Sequence, residues 1–163
     1  MKIFGKTLSE YVNFEKGFLA LVLIVGLARL ILSLVGIANS VDKFLSLTVL
    51  LLLGMIYYAV RVYTSGFGSY KQLYPIYLLQ WFLSQLIIVS GIVIAILTGK
   101  DNIFSAAEYS PGKTDGKTWL HAASHLIVIV IMPLIMWALG SLLMFVTKKV
   151  TSGREPKPGT AGA

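Results

Sequence analysis

Cysteine is absent from the chain, and acidic side chains are scarce, with seven Asp and Glu among 163 residues. The first absence excludes disulfides, iron–sulfur clusters and thiolate chemistry, and leaves the redox compartment open. The second belongs to a wider shortage. Charged residues make up 13% of the chain, about half the share usual in a soluble domain. A soluble fold of this size needs a polar shell, and this sequence cannot supply one. Internal repeats are also missing, which argues against the repeated halves of secondary transporters. No glycine-rich phosphate loop and no Ser/His/Asp arrangement of persuasive spacing occurs.

What is present is hydrophobic. Such residues make up 56% of the chain, gathered into four long runs. At 1.5 Å per residue, roughly 20 apolar residues cross a hydrocarbon core of about 30 Å. Spans are expected over about 17–38, 44–63, 76–98 and 119–146. The fold class is therefore all-α: an integral membrane, antiparallel four-helix bundle running up-down-up-down, occupying 17–147. The turn at Asn39 to Lys43 is short enough to force antiparallel neighbours. Pro75 sits where a helix can start, and Pro133 predicts a kink in the fourth span.

Flanking segments read differently. Residues 1–16 place Phe4, Leu8, Tyr11 and Val12 on one helical face, and Thr7 with Glu10 forms a capping-box pattern. A short amphipathic helix on the membrane surface is expected there. Gly36 and Ala38 would suit a signal-peptide cleavage site. Glu10, Glu15 and the long apolar run with Arg29 favour a retained span instead. Residues 148–163 form a basic tail rich in Gly and Pro, expected to be disordered.

The formal charge of +7 sits mainly at the ends of apolar runs, with no basic stripe of the kind nucleic acid requires. Placing the N-terminus inside puts nine Lys and Arg on the inner side and four on the outer, leaving Arg29 within a span. That bias predicts both termini in the cytoplasm, with a bacterial cytoplasmic membrane as the default location. Six of the eight tyrosines lie between positions 57 and 77, on the same inner side, as an interfacial belt would.

Few residues carry chemistry. Arg29 costs at least roughly 2.5–3.5 kcal/mol inside a span unless it is paired or snorkels. Ser90 lies at a similar depth and is a candidate acceptor for it. Ser84 and Gln85 are further intramembrane polar groups, and Gln85 is expected to bond another helix. His121 and His125 share one face of the fourth span and suit a zinc-type ion, with Glu108 or Asp115 supplying an oxygen. They cannot sandwich a haem, whose axial ligands approach from opposite sides. Gly91, Ala95 and Gly99 form a small-residue stripe for close helix packing. No acidic residue falls inside an expected span, which argues against a proton-coupled carrier.

Three functions follow as expectations. The first is a non-enzymatic accessory or scaffold subunit packing with membrane partners or with itself in the bilayer. The second is a metal- or cofactor-binding membrane protein using His121 and His125. The third is a small transporter or lipid-binding protein working around Arg29. No particular cofactor or substrate is indicated.

Overall fold

A computed structural model describes residues 2–36, 45–107 and 115–152. Four helices dominate it: α1 (Leu8–Leu34), α2 (Leu47–Thr64), α3 (Tyr70–Thr98) and α4 (Trp119–Ser152). All four are long and apolar enough to cross a membrane. Their apolar side chains point outward as well as inward. Ile24, Leu53, Leu86 and Leu126 are each about half exposed or more, as suits helices surrounded by lipid.

Contacts between helix ends establish the up-down-up-down course. Near its start, α1 carries Glu15, which meets Gln80 in the first half of α3. Phe14 of α1 lies against Tyr58 near the end of α2. Further on, Gln85 meets His125 early in α4, whereas the Tyr70 carbonyl accepts from Trp137 much later in α4, at 2.7 Å. Adjacent helices in sequence therefore run antiparallel, and α1 runs parallel to α3.

The N-terminal segment differs from the separate surface helix expected over 1–16. Lys2–Ile3 and Lys6–Thr7 form a two-stranded antiparallel hairpin, β1 and β2. Its turn has positive φ at Phe4 (49°) and Gly5 (87°), the mirror-image turn that matches strand twist. Tyr11 Oη donates to Ile3 O at 2.9 Å, and Gln72 Nε2 to Phe4 O at 2.8 Å. These bonds hold the hairpin on the bundle. Thr7 then caps α1 through the expected box with Glu10, but the helix runs straight on into the span. Tyr11 and Glu15 are consequently buried, not interfacial.

Two further boundaries move. α3 starts at Tyr70, ahead of Pro75, because the Ser69 N–H bonds Gln72 Oε1 at 2.8 Å in a second capping box. α4 continues past Val146 to Ser152, so Lys148 and Lys149 are helical. The rest of the expected tail lies outside the described residues. Pro133 is accommodated within the continuous α4.

The interhelical core includes two tyrosines of the expected belt. Tyr58 and Tyr77 are each 1% exposed, and Tyr77 Oη donates to the Met55 carbonyl at 2.9 Å. Gly140 of α4 makes room for that hydroxyl, since a Cβ there would lie 2.4 Å from it. Gly140→Ala is expected to destabilise the detergent-solubilised protein by about 1–3 kcal/mol through overpacking. In a Tyr77→Phe background, where the obstructing oxygen is gone, the same change should cost less. Thermal unfolding of the four proteins in the cycle checks the coupling; strictly additive losses would remove Tyr77 as the cause.

Candidate functional site

The segment after α3 folds back into the bundle. Asn102, Ile103, Phe104 and Ser105 are all buried. Asn102 Nδ2 donates to Gly91 O at 2.7 Å, and the Ile103 N–H donates to Ser33 Oγ at 2.7 Å. Phe104 lies against Gly91, where a Cβ would come within 2.6 Å of the ring. Gly91 and Ala95 of the expected stripe are thus spent inside the chain, and Ala95 is fully buried. Gly99 is not a packing position. Nothing lies within 4 Å of where its Cβ would be. It ends α3 in the left-handed conformation at φ 70°, which glycine adopts without strain.

This inward loop and all four helices line a partly open cavity of about 290 Å³. Arg29, Ser46, Thr48, His121 and His125 supply its polar lining, and Leu47, Ile88, Ile103 and Phe104 its apolar walls. Arg29 and the histidine pair, read from the sequence as separate candidates, therefore share one chamber. The Arg29 guanidinium lies 5.6 Å from the Phe104 ring centre, a cation–π contact. Ser46 caps α2, its Oγ accepting from Val49 N–H at 3.3 Å. The cavity therefore also meets the start of α2, the positive end of that helix.

The histidines are held from behind. His121 Nδ1 lies 2.9 Å from the Gly116 carbonyl. A carbonyl only accepts, so that nitrogen carries the hydrogen and Nε2 presents a lone pair when the ring is neutral. His125 Nδ1 contacts Gln85 Oε1 in the same manner. The two Nε2 atoms then face each other at 3.4 Å. Two facing lone pairs repel, so the pair calls for something positive between or beside them. Thr118 positions the first turn of α4, its Oγ1 accepting from His121 N–H at 3.1 Å.

Gly116 itself sits in a clasp. Lys117 Nζ bonds Asp101 Oδ1 at 2.6 Å and lies 3.4 Å from Asp115 Oδ1. The bond to Asp101 raises the Lys117 pKa. The Lys117 backbone N–H bonding Asp115 holds that carboxyl below its usual range. Both shifts keep the clasp charged around neutral pH. Asp115 is therefore committed to Lys117 and does not line the chamber of the histidines. The other proposed oxygen donor, Glu108, lies outside the described residues. Among the described residues no group of three His, Asp or Glu side chains converges as a metal site.

The remaining polar candidates separate. Ser90 is exposed on the lipid side of α3 and donates to Leu86 O at 2.7 Å. It does not line the Arg29 chamber, because it lies on the other face of α3 from Ile88 and Gly91. Ser84 is buried with no partner for its hydroxyl, and Gln85 is buried against His125. Glu15 was missed as a buried group. Its carboxyl is fully buried and accepts from Gln80 Nε2 at 2.9 Å. Reading it as a flanking charge before the span hid it. The capping box at Thr7 was the available signal, since it starts the helix two turns ahead of Glu15. No family model matches the chain, and no curated protein or solved structure matches it either.

Proposed function

We propose that the protein is a multi-pass membrane protein that binds a small oxyanion in the chamber of Arg29, His121 and His125. The supporting observation is the convergence on one cavity of a guanidinium, two hydroxyl side chains, an imidazole pair and the start of α2. Arg29, the two hydroxyls and the start of α2 are donors or positive ends suited to a phosphate or carboxylate group, and the imidazole pair becomes a donor once it takes up a proton. The volume equals about ten waters at ~30 Å³ each, which accommodates a free anion or a single headgroup phosphate. Proton uptake by the histidine pair removes the repulsion between lone pairs and adds charge. Binding should therefore tighten as the pH falls.

Titration of the purified protein with inorganic phosphate tests this reading, alongside mass analysis of co-purifying anionic lipid. Phosphate heat signals with no retained lipid identify a free anion. Stoichiometric anionic lipid that phosphate does not displace identifies a headgroup. Neither signal at any pH overturns the reading. Zinc is the second occupant with a specific observation behind it. An Nε2 separation of 3.4 Å is what two nitrogens at about 2.0–2.1 Å from a tetrahedral ion require, and both Nδ1 atoms are backed by oxygen. Arg29 in the same chamber opposes a bare cation, which places zinc second. An accessory role beside partner subunits loses its stripe motif, since Gly91 and Ala95 pack within this chain.

The charge bias supports an orientation with both termini in the cytoplasm and the chamber toward the outer face of the cytoplasmic membrane. The cysteine-free sequence makes this simple to check. A single cysteine at Ala107 should react with an impermeant maleimide on intact cells, and one at Ser65 only after permeabilisation. The opposite pattern would invert the orientation.

A further inference from the structure

Beneath the anion chamber lies a second polar site that its chemistry does not use. Glu15 is fully buried in α1, and Gln80 reaches one of its oxygens. The other oxygen, Oε1, has no hydrogen-bond partner. Among the described residues no cation pairs with it. Its titratable neighbours are Tyr58 of α2, beside which Arg61 lies 5.9 Å from the ring centre, and Tyr77 of α3. α4 brings Gly140 to this level, and it holds no titratable side chain between Leu126 and Val146. A carboxylate so placed is very costly without a proton or an opposite charge.

Ser84 stands on the same helix one turn beyond Gln80, about 6 Å along the axis. It too is buried, and its hydroxyl has no partner. The next residue, Gln85, holds His125. From Gln80 to Gln85 the axis advances about 7.5 Å. The orphaned Ser84 hydroxyl thus stands along α3 between Gln80, which bonds the buried acid, and Gln85, which holds the histidine pair. Around the pair stand Arg29 on α1, the hydroxyls of Ser46 and Thr48 on α2, and the Asp101–Lys117–Asp115 clasp.

We propose that Glu15 is a proton-binding site in the membrane interior and that Ser84 passes protons between it and the His121–His125 pair, so that an oxyanion enters with a proton. The outer end of this path rests on the anion-chamber reading. In the transfer, an imidazolium Nε2 gives up its proton, Ser84 Oγ accepts it through an intervening water, and Ser84 releases its own hydrogen through a second water to Glu15 Oε1, because neither oxygen has a direct partner. The imidazole becomes neutral, the carboxylate becomes the carboxylic acid, and the hydroxyl is restored. Gln85 and Gln80 orient the two ends and transfer nothing.

The test uses the full chain in liposomes of neutral lipid. Dicyclohexylcarbodiimide attacks protonated carboxyls in apolar surroundings, and peptide mass mapping reads the adduct. The expected result is an adduct on Glu15 and none on exposed Glu10. Its rate should fall about tenfold per pH unit once the acid is deprotonated. Potential-driven acidification of an internal pH dye should fall at least about tenfold in carbodiimide-treated protein, in Glu15→Gln and in Ser84→Ala, with Glu15→Asp retaining flux. No adduct on Glu15, or flux unaffected by carbodiimide, overturns the proposal, and neither result needs a variant to fold. Phosphate binding at fixed pH should survive Glu15→Gln. Loss of phosphate binding in the wild type, with Glu15 still labelled and conducting, would remove the anion chamber and the coupling while leaving the proton site.

Discussion

Arg29→Leu is expected to abolish measurable phosphate binding while leaving the protein folded. The guanidinium is the one permanent charge among the described residues lining the chamber, and it stays charged at any pH the protein meets. Charge-assisted hydrogen bonds contribute about 1.5–3 kcal/mol each, and losing two of them weakens binding by roughly 10²–10⁴-fold. Leucine keeps an apolar stem against Phe104 and suits a helix in lipid, so the protein should stay folded and helical, with a thermal midpoint lowered by no more than the lost contacts of the guanidinium. Arg29→Lys separates charge from geometry. It keeps the charge and gives up the planar fork, and a loss of about tenfold is expected. Calorimetric titration of the three proteins decides the matter. Full affinity in Arg29→Leu would exclude the chamber as the anion site, whatever the histidines do. His125→Ala should act differently. It should leave weaker binding that tightens less as the pH falls, because Arg29 and His121 remain but the facing pair of lone pairs does not.

The spans were legible because their signal is additive: twenty consecutive apolar residues leave no alternative reading. The polar interior was legible only one residue at a time. Arg29, Gln85 and the histidines stand out as costly in lipid, but which of them meet depends on how the helices rotate about their axes, and hydropathy carries no such information. Ser90 and Ser84 show the limit. Both are serines in α3, six residues apart. One turns its hydroxyl back to Leu86 O on the lipid side, and the other is buried with no partner. Composition gives them equal weight, while their angular positions separate them. The inward loop was hidden for a related reason. Asn102, Ile103, Phe104 and Ser105 sit in a stretch rich in turn residues, and their burial depends on Gly91 leaving a space and on Ser33, far away in sequence, supplying a hydrogen-bond acceptor.

Glu15 shows a different failure, and a correctable one. A span boundary drawn at the first long apolar run treats every earlier charge as interfacial. Helix boundaries obey capping rather than hydropathy. Thr7 with Glu10 and Ser69 with Gln72 each open a helix well before the hydrophobic run begins. Aligning α1 and α3 from those caps puts Glu15 and Gln80 each two to three turns inside its helix. The same signals place the acid inside α1 and in the bundle, which a hydropathy window alone cannot do.

Gly116→Ala should cost the chamber nearly as much as removing a histidine, though Gly116 contributes no side chain. A Cβ at this position would lie 2.1 Å from the Ser105 carbonyl oxygen and 2.7 Å from its carbon. Those are backbone atoms of the inward loop, fixed by the bonds of Asn102 and Ile103, so no rotamer change relieves the clash. The 115–118 segment must move outward by about 1 Å to reach ordinary contact. That shift stretches the 2.9 Å contact between Gly116 O and His121 Nδ1, which alone fixes the tautomer of His121. A freed ring exchanges tautomers, and its Nε2 no longer stays aimed at His125. The expected result is at least about tenfold weaker phosphate binding, in keeping with a lost buried hydrogen bond of roughly 1–3 kcal/mol. Nitrogen-15 spectra of labelled histidine should change from one Nδ1–H tautomer at His121 to a mixture. Gly17→Ala, where nothing lies within 4 Å of the added carbon, is the matched control and should change neither readout. A Gly116→Ala protein with wild-type affinity and an unchanged histidine spectrum would show that the Gly116 carbonyl does not set the geometry of the pair.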